Sequence, residues 1–230
     1  IAARIPIYDD DDTPYGMAKA AARCSDGIAD ALHALNPDLV LLTVDRIETL
    51  AAAQSAALMN FPIAHIQGGE VTGTIDESIR HAVTKLAHIH FPATADAAER
   101  IRKLGEDPSR VFEVGCPYID LIQNTQVSSR QHLAEKYKLD PEKQWILFVQ
   151  HPVTTEYRSV LDQIRESVEA LHEFPEFVVV SIFSNADAGG RSIIRYLESS
   201  TAFRLFANIP ETDYISLMKE SAVMVGNSSS

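Results

Sequence analysis

Five places in this chain set chemistry-bearing side chains directly after a short apolar run, where a strand would end. The run at 38–43 leads to Asp45-Arg46, and the run at 62–66 leads to Gln67-Gly68-Gly69-Glu70. Further on, Val149 is followed by Gln150-His151-Pro152, and Phe183 by Ser184-Asn185-Ala186-Asp187-Ala188-Gly189. The last run closes with Gly226-Asn227-Ser228-Ser229. In open α/β sheets ligands sit beyond the carboxyl ends of the strands, so these are the residues a ligand would meet. Carboxylates, an imidazole, amides and hydroxyls gathered there suit proton transfer beside a departing anion.

Taken singly, each has a plainer reading. Asp45-Arg46 alone is a loop ion pair, and Gly68-Gly69 alone is a turn. Thr74-Ile75-Asp76-Glu77 has the spacing of a capping box, with Thr74 as N-cap and Glu77 reaching back. Asp76 and Glu77 also suit the positive end of a helix dipole. For Glu77 the cap and a catalytic role stand even, because a helix N-terminus can aim a carboxylate at a cleft. His81, His88 and His90 invite a metal, and Glu77, His81, Thr84 and His88 share a helical face by spacing. No HExxH-type ligand pair accompanies them, so no metal is expected. Asp9-Asp10-Asp11-Asp12 reads as a solvated loop before a helix capped by Thr13-Pro14. Asn227-Ser228-Ser229 is an N-cap cluster or, followed by a helix, an anion site. Together these features favour a nucleotide-type ligand.

The elements that must position these residues alternate. Apolar runs at 38–43, 62–66, 90–93, 111–114, 145–149, 177–183, 203–206 and 223–225 are separated by helix-periodic segments at 48–59, 76–87, 96–104, 160–172, 191–197 and 212–219. Such alternation indicates a parallel α/β architecture with right-handed crossovers. A more polar stretch suggests two Rossmann-like halves, 1–124 and 145–230, with 125–144 as their connection and a helix inside it at 130–138. The chain starts at Ile1 without Met and stops at Ser230 just after a strand-like run, so both ends read as cut.

Bulk composition narrows the classes. With 46% apolar and 23% charged residues the chain is an ordinary globular one. Lys plus Arg is 20 and Asp plus Glu is 32, giving 20 − 32 = −12, which disfavours nucleic acid and anionic membrane as partners. The two cysteines, Cys24 and Cys116, build no disulfide framework and read as reduced thiols. With no signal-like start and no membrane-length apolar run, a cytoplasmic location is expected.

The segment His65-Ile66-Gln67-Gly68-Gly69-Glu70-Val71-Thr72-Gly73-Thr74-Ile75-Asp76-Glu77-Ser78-Ile79-Arg80-His81 resembles hydrolysing UDP-N-acetylglucosamine 2-epimerases. So do Gln150-His151-Pro152-Val153-Thr154-Thr155, Asn185-Ala186-Asp187-Ala188-Gly189 and Gly226-Asn227-Ser228-Ser229, and the likeness runs from about Thr13 to Ser230. The resemblance implies an α/β, GT-B-like fold, with two Rossmann-like domains and their parallel sheets facing across a cleft that closes over a UDP-sugar. It implies no cofactor, and a homo-oligomer, dimer or tetramer. The implied chemistry is loss of UDP with removal of the C2 proton, giving 2-acetamidoglucal, then addition of water to release N-acetylmannosamine.

Carried over by position, Asp45, Glu70, Asp76, Glu77 and His151 are the implied catalytic residues. Arg46, Gln67, Arg80, His81, Asn185, Asn227, Ser228 and Ser229 are the implied substrate contacts. Where some relatives of this kind carry a catalytic Glu, this chain has Gln67, and an amide cannot act as a general base. Asp45, Glu70 and Glu77 are then the candidate bases. Val44 stands where the family has Gly before Asp-Arg. Other readings are a 2-epimerase acting on UDP-N,N′-diacetylbacillosamine, a non-hydrolysing 2-epimerase, a GT-B glycosyltransferase and a UDP-sugar-binding module.

Overall fold

The computed structural model describes residues 1–43, 45–185, 187–200 and 203–228. The chain divides into two compact units, Ile1–Asp120 and Leu121–Ser230, each with its own parallel sheet.

In the first unit, α1 (Pro14–Leu35) starts where Thr13 accepts the Gly16 N–H at 3.2 Å, with Pro14 at the first helical position. Asn36, in the left-handed region at φ 43°, ends it. Then follow β1 (Val40–Thr43), α2 (Ile47–Leu58), β2 (Ile63–Ile66), α3 (Ile75–Leu86), β3 (Ile89–Phe91) and α4 (Ala95–Lys103). The strands pair in the order β1-β2-β3, with Leu42, His65 and His90 in register. Alanines at 52, 53 and 56 let α2 approach the sheet closely, and Leu42, Ile63, Ile79 and Val83 complete that core.

The apolar run at 111–114 does not form a regular strand. Val111 bridges His90, and the N–H groups of Phe112 and Val114 donate to His90 O and Pro92 O at 2.9 and 3.1 Å. The run therefore travels beside β3 and delivers Gly115-Cys116 at the same end of the sheet. The helix α5 (Pro117–Asn124) follows.

The second unit contains α6 (Arg130–Tyr137), β4 (Trp145–Val149), α7 (Val160–His172), β5 (Val178–Ile182), α8 (Gly190–Ser199), β6 (Arg204–Phe206), α9 (Glu211–Glu220) and β7 (Val223–Gly226). All pairings are parallel, in the order β6-β5-β4-β7. Every residue of β4 is buried, as its unbroken Trp-Ile-Leu-Phe-Val sequence requires of a strand covered on both faces. Ile146 and Phe148 face α7 and α8; Trp145, Leu147 and Val149 face α6 and α9. Residues 125–144, expected to connect two halves, thus place Leu133, Ala134 and Leu139 in the core beneath β4. From β4 the chain winds outward through β5 to β6, then returns to β4's other side as β7, so the winding reverses between β4 and β7. Among the described residues no helix is long and apolar enough to cross a membrane.

Candidate functional site

In the first unit the candidate residues gather at the carboxyl ends of β1 and β2. The key cation is Arg80 on α3, whose side chain is only 6% exposed. Its guanidinium pairs with Asp45 after β1 and donates to the Glu70 carbonyl at 2.7 Å. Arg80, expected on the substrate, is therefore engaged with the chain itself and ties the two strand ends together. Arg46 opens α2 beside Asp45, with its Nε 3.5 Å from the Glu48 carboxylate.

Gln67 sits in the left-handed region at φ 59° and donates from its amide to the Cys116 thiol at 3.1 Å. Glycines follow it for steric reasons. A Cβ on Gly68 would press on His65 and Thr84, and one on Gly69 would meet the Ala97 carbonyl. The Gly-Gly pair thus serves close packing of the β2 turn against α3 and α4.

Thr74 is the N-cap of α3, as its spacing predicts, but its side chain makes no capping bond. Glu77 also departs from the capping-box pattern. One carboxylate oxygen passes over the N-cap to accept the N–H groups of Thr72 and Gly73, both at 2.7 Å. Gly73, at φ 71°, supplies the turn that aims both donors at it. These two bonds hold the Glu77 carboxyl below the usual carboxylate range, aided by His81 and Arg80. Asp76 is the second residue of α3 and is half-buried.

The three histidines of the metal pattern go to separate partners. His81 Nε2 lies 3.9 Å from Glu77, and His88 Nδ1 accepts the Ile63 N–H at 3.2 Å. His90 is buried 3.4 Å from Glu106. Burial pushes His90 below its ordinary value, with Glu106 opposing. Among the described residues no three His, Cys, Asp or Glu side chains stand close enough to hold a metal.

In the second unit the site forms where the winding reverses, the position at which α/β sheets bind ligands. Asn227, after β7, grips the backbone of His151, after β4, from both sides. Its Oδ1 accepts the His151 N–H at 2.7 Å, and its Nδ2 donates to the His151 carbonyl at 3.0 Å. The His151 ring is oriented as firmly. The Asn185 N–H points at Nδ1 from 3.2 Å, and the Ser228 hydroxyl lies 3.3 Å from Nε2. A backbone donor at Nδ1 selects the neutral tautomer with its proton on Nε2, facing Ser228. Asn185 also bonds Asp187 at 2.6 Å, shaping the turn into α8, whose N-cap is Gly189. Ser229 lies outside the described residues.

Two residues beside these sites, Cys116 and Tyr8, escape a strand-end reading of the sequence. Cys116 follows the run at 111–114 and is within reach of that rule, once the run is known to travel beside β3. Ser184, already placed by its position after β5, is 3.5 Å from His151 Nδ1. Tyr8, bonded to Glu48, left no sequence signal because forty positions separate them.

The family model for UDP-N-acetylglucosamine 2-epimerase matches residues 3–230. UDP-N,N′-diacetylbacillosamine 2-epimerase (hydrolyzing) of Legionella pneumophila is 36% identical over 217 residues, covering 93% of this chain and 57% of that protein. UDP-N-acetylglucosamine 2-epimerase of Neisseria meningitidis serogroup B is 36% identical over 197 residues, covering 85% and 52%. The crystal structure of UDP-GlcNAc 2-epimerase from Neisseria meningitidis bound to UDP-GlcNAc superposes with TM-score 0.74 at 19% identity, over 93% of this chain and 60% of that one. The chain thus spans between half and three fifths of the length of these proteins, and the superposition establishes an α/β, GT-B-like fold class. On a family match that runs through nearly every residue, this chain belongs to the UDP-N-acetylglucosamine 2-epimerase family.

Proposed function

We propose that the protein is a hydrolysing 2-epimerase of a UDP-2-acetamido sugar, converting UDP-N-acetylglucosamine and water to N-acetylmannosamine and UDP. The observation that carries this reading is the knot at the ends of β1 and β2. Asp45 and the Glu70 loop share the buried Arg80, with Asp76 and Glu77 opening the helix that bears it.

The C2 hydrogen of a sugar is barely acidic, so its removal needs a fixed carboxylate acting as the diphosphate leaves. Two of the candidates already accept strong donors, Asp45 from Arg80 and Glu77 from Thr72 and Gly73. The two N–H bonds favour the ionised form of Glu77 and weaken it as a base. Of the three candidate bases, Asp45 and Glu70 are then the better carriers of the proton, with Glu77 shaping the field around the sugar. His151 and Ser228 suit the departing diphosphate, and Asn185 and Asn227 hold that arrangement. Elimination gives 2-acetamidoglucal; a proton then returns to C2 and a water hydroxyl adds at C1.

A second reading keeps this mechanism and changes the sugar to N,N′-diacetylbacillosamine. The Legionella pneumophila relative, 36% identical over 93% of this chain, favours it.

Proton NMR of the full-length protein with each UDP-sugar in D2O tests both. Free UDP together with a free 2-epimeric sugar deuterated at C2 is the expected result, and the nucleotide that turns over faster names the substrate. A UDP-sugar epimer with no free sugar would replace water by UDP in the second step. At the site, Asp45→Asn and Glu77→Gln should each cut UDP release at least about a hundredfold while the fold survives. Near-wild-type turnover in both would remove the site assignment.

A further inference from the structure

Residues 4–12, ahead of α1, form a strap over the α1–α2 pair. Ile7 is buried with Cys24 and Ala51, and Ile5 packs on the same cluster. Ile5 also lies so close to Gly27 that a Cβ there would meet its Cγ2 at 2.5 Å. Arg23 on α1 fastens the strap from the side, donating to the Ile7 carbonyl at 2.7 Å and pairing with Asp9 at 2.9 Å.

These anchors bracket Tyr8. Its hydroxyl donates to Glu48 Oε1 at 2.5 Å, and the other Glu48 oxygen lies 3.5 Å from Arg46 Nε. Arg46 interacts with the Tyr8 hydroxyl as well, so the three side chains form a closed cluster. Arg46 is the N-cap of α2 but makes no capping bond with its side chain. Burial and the Glu48 carboxylate push the Tyr8 hydroxyl up to about 12, so it stays a donor at every working pH.

We infer that Tyr8, acting through Glu48, is a positioning residue that holds the Arg46 guanidinium ready for the anionic sugar nucleotide. The inference rests on the reading of Arg46 as a substrate contact. A long cation fixed before binding loses less freedom when the ligand arrives, so the gain falls on affinity in ground and transition states alike.

The test is steady-state kinetics of the full-length protein with UDP-N-acetylglucosamine and the N,N′-diacetylbacillosamine nucleotide. Tyr8→Phe and Glu48→Gln should each raise KM about tenfold, the scale of one hydrogen bond to a charged group, with kcat within about twofold. In an Arg46→Ala background, Tyr8→Phe should add nothing further, which a merely structural loss would not reproduce. Melting curves of Tyr8→Phe and Glu48→Gln separate this from unfolding. If Arg46→Ala raises KM while the other two variants do not, the positioning role is overturned and the site reading stands. Additive effects in the double variant overturn it too. If Arg46→Ala leaves KM unchanged, or neither nucleotide is turned over, the site reading falls and the inference with it.

Discussion

Glu77, a candidate for the chemistry, already serves the backbone. Its oxygen closes the 72–77 loop, and the two N–H donors keep it ionised. Because its folded pKa lies below the unfolded value of about 4.3, its contribution is complete above that value and is lost as pH falls through the folded pKa. Glu77→Gln should therefore lower stability at neutral pH and flatten the acid limb of a urea-midpoint-versus-pH curve. Equal acid limbs in both proteins would show that the loop bonds do not form in solution. The strand-end rule found Asp45, Glu70, His151, Asn185 and Asn227 because it needs only local order. It missed the true partners of Glu77, because the capping-box pattern is silent on the positive φ at Gly73. Arg80 was legible as a neighbour of the acidic pair, but its burial against Asp45 follows from the packing of α3, which spacing does not encode.

At the scale of elements, the clamp between β4 and β7 rests on one amide. Asn227 bonds the His151 backbone through both ends of its side-chain amide, so Asn227→Ala removes two hydrogen bonds at an exposed edge. The expected cost is about 1–2 kcal/mol of stability. UDP affinity should fall further than that, because the His151 ring loses its fixed place. Calorimetric UDP titration beside urea denaturation checks both numbers, and loss of stability with unchanged affinity would separate the clamp from the ligand site. Strong periodicity made α7 legible to the residue, at 160–172. Weak periodicity misled at 111–114, where a four-residue apolar run pairs with β3 through a bridge and two loop bonds only. The reversal that frames the candidate ligand position was not legible at all, since strand order is set by which faces α6 to α9 cover.

At the scale of the whole molecule, the polar stretch 125–144 shows where composition and compactness part. It looks like a linker because α6 buries few residues, Leu133 and Ala134 among them, while its other faces stay wet. Arg130 explains how so polar a segment is held. It donates to the carbonyls of Pro141, Lys143 and Glu220 and lies 3.9 Å over the Trp145 ring. Trp145 is the chain's single tryptophan and is fully buried in the second unit, so its emission reports that unit alone. Each unit has its own core, so the urea transition seen by Trp145 fluorescence should not coincide with that seen by far-ultraviolet circular dichroism. Superimposed transitions would mean that the two cores melt as one.

The ion pair of Asp45 with Arg80 has a consequence for descent. Losing either partner strands a charge, whereas changing both together costs little, so the two positions cannot drift one at a time. Folding alone thus favours keeping them together, even in a lineage whose catalysis has lapsed. A copy of this gene that keeps Asp45 and Arg80 has therefore given one sign that it folds, beside any sign of catalysis. One that also keeps Glu70, whose carboxylate is no part of that ion pair, carries the better sign of a working enzyme.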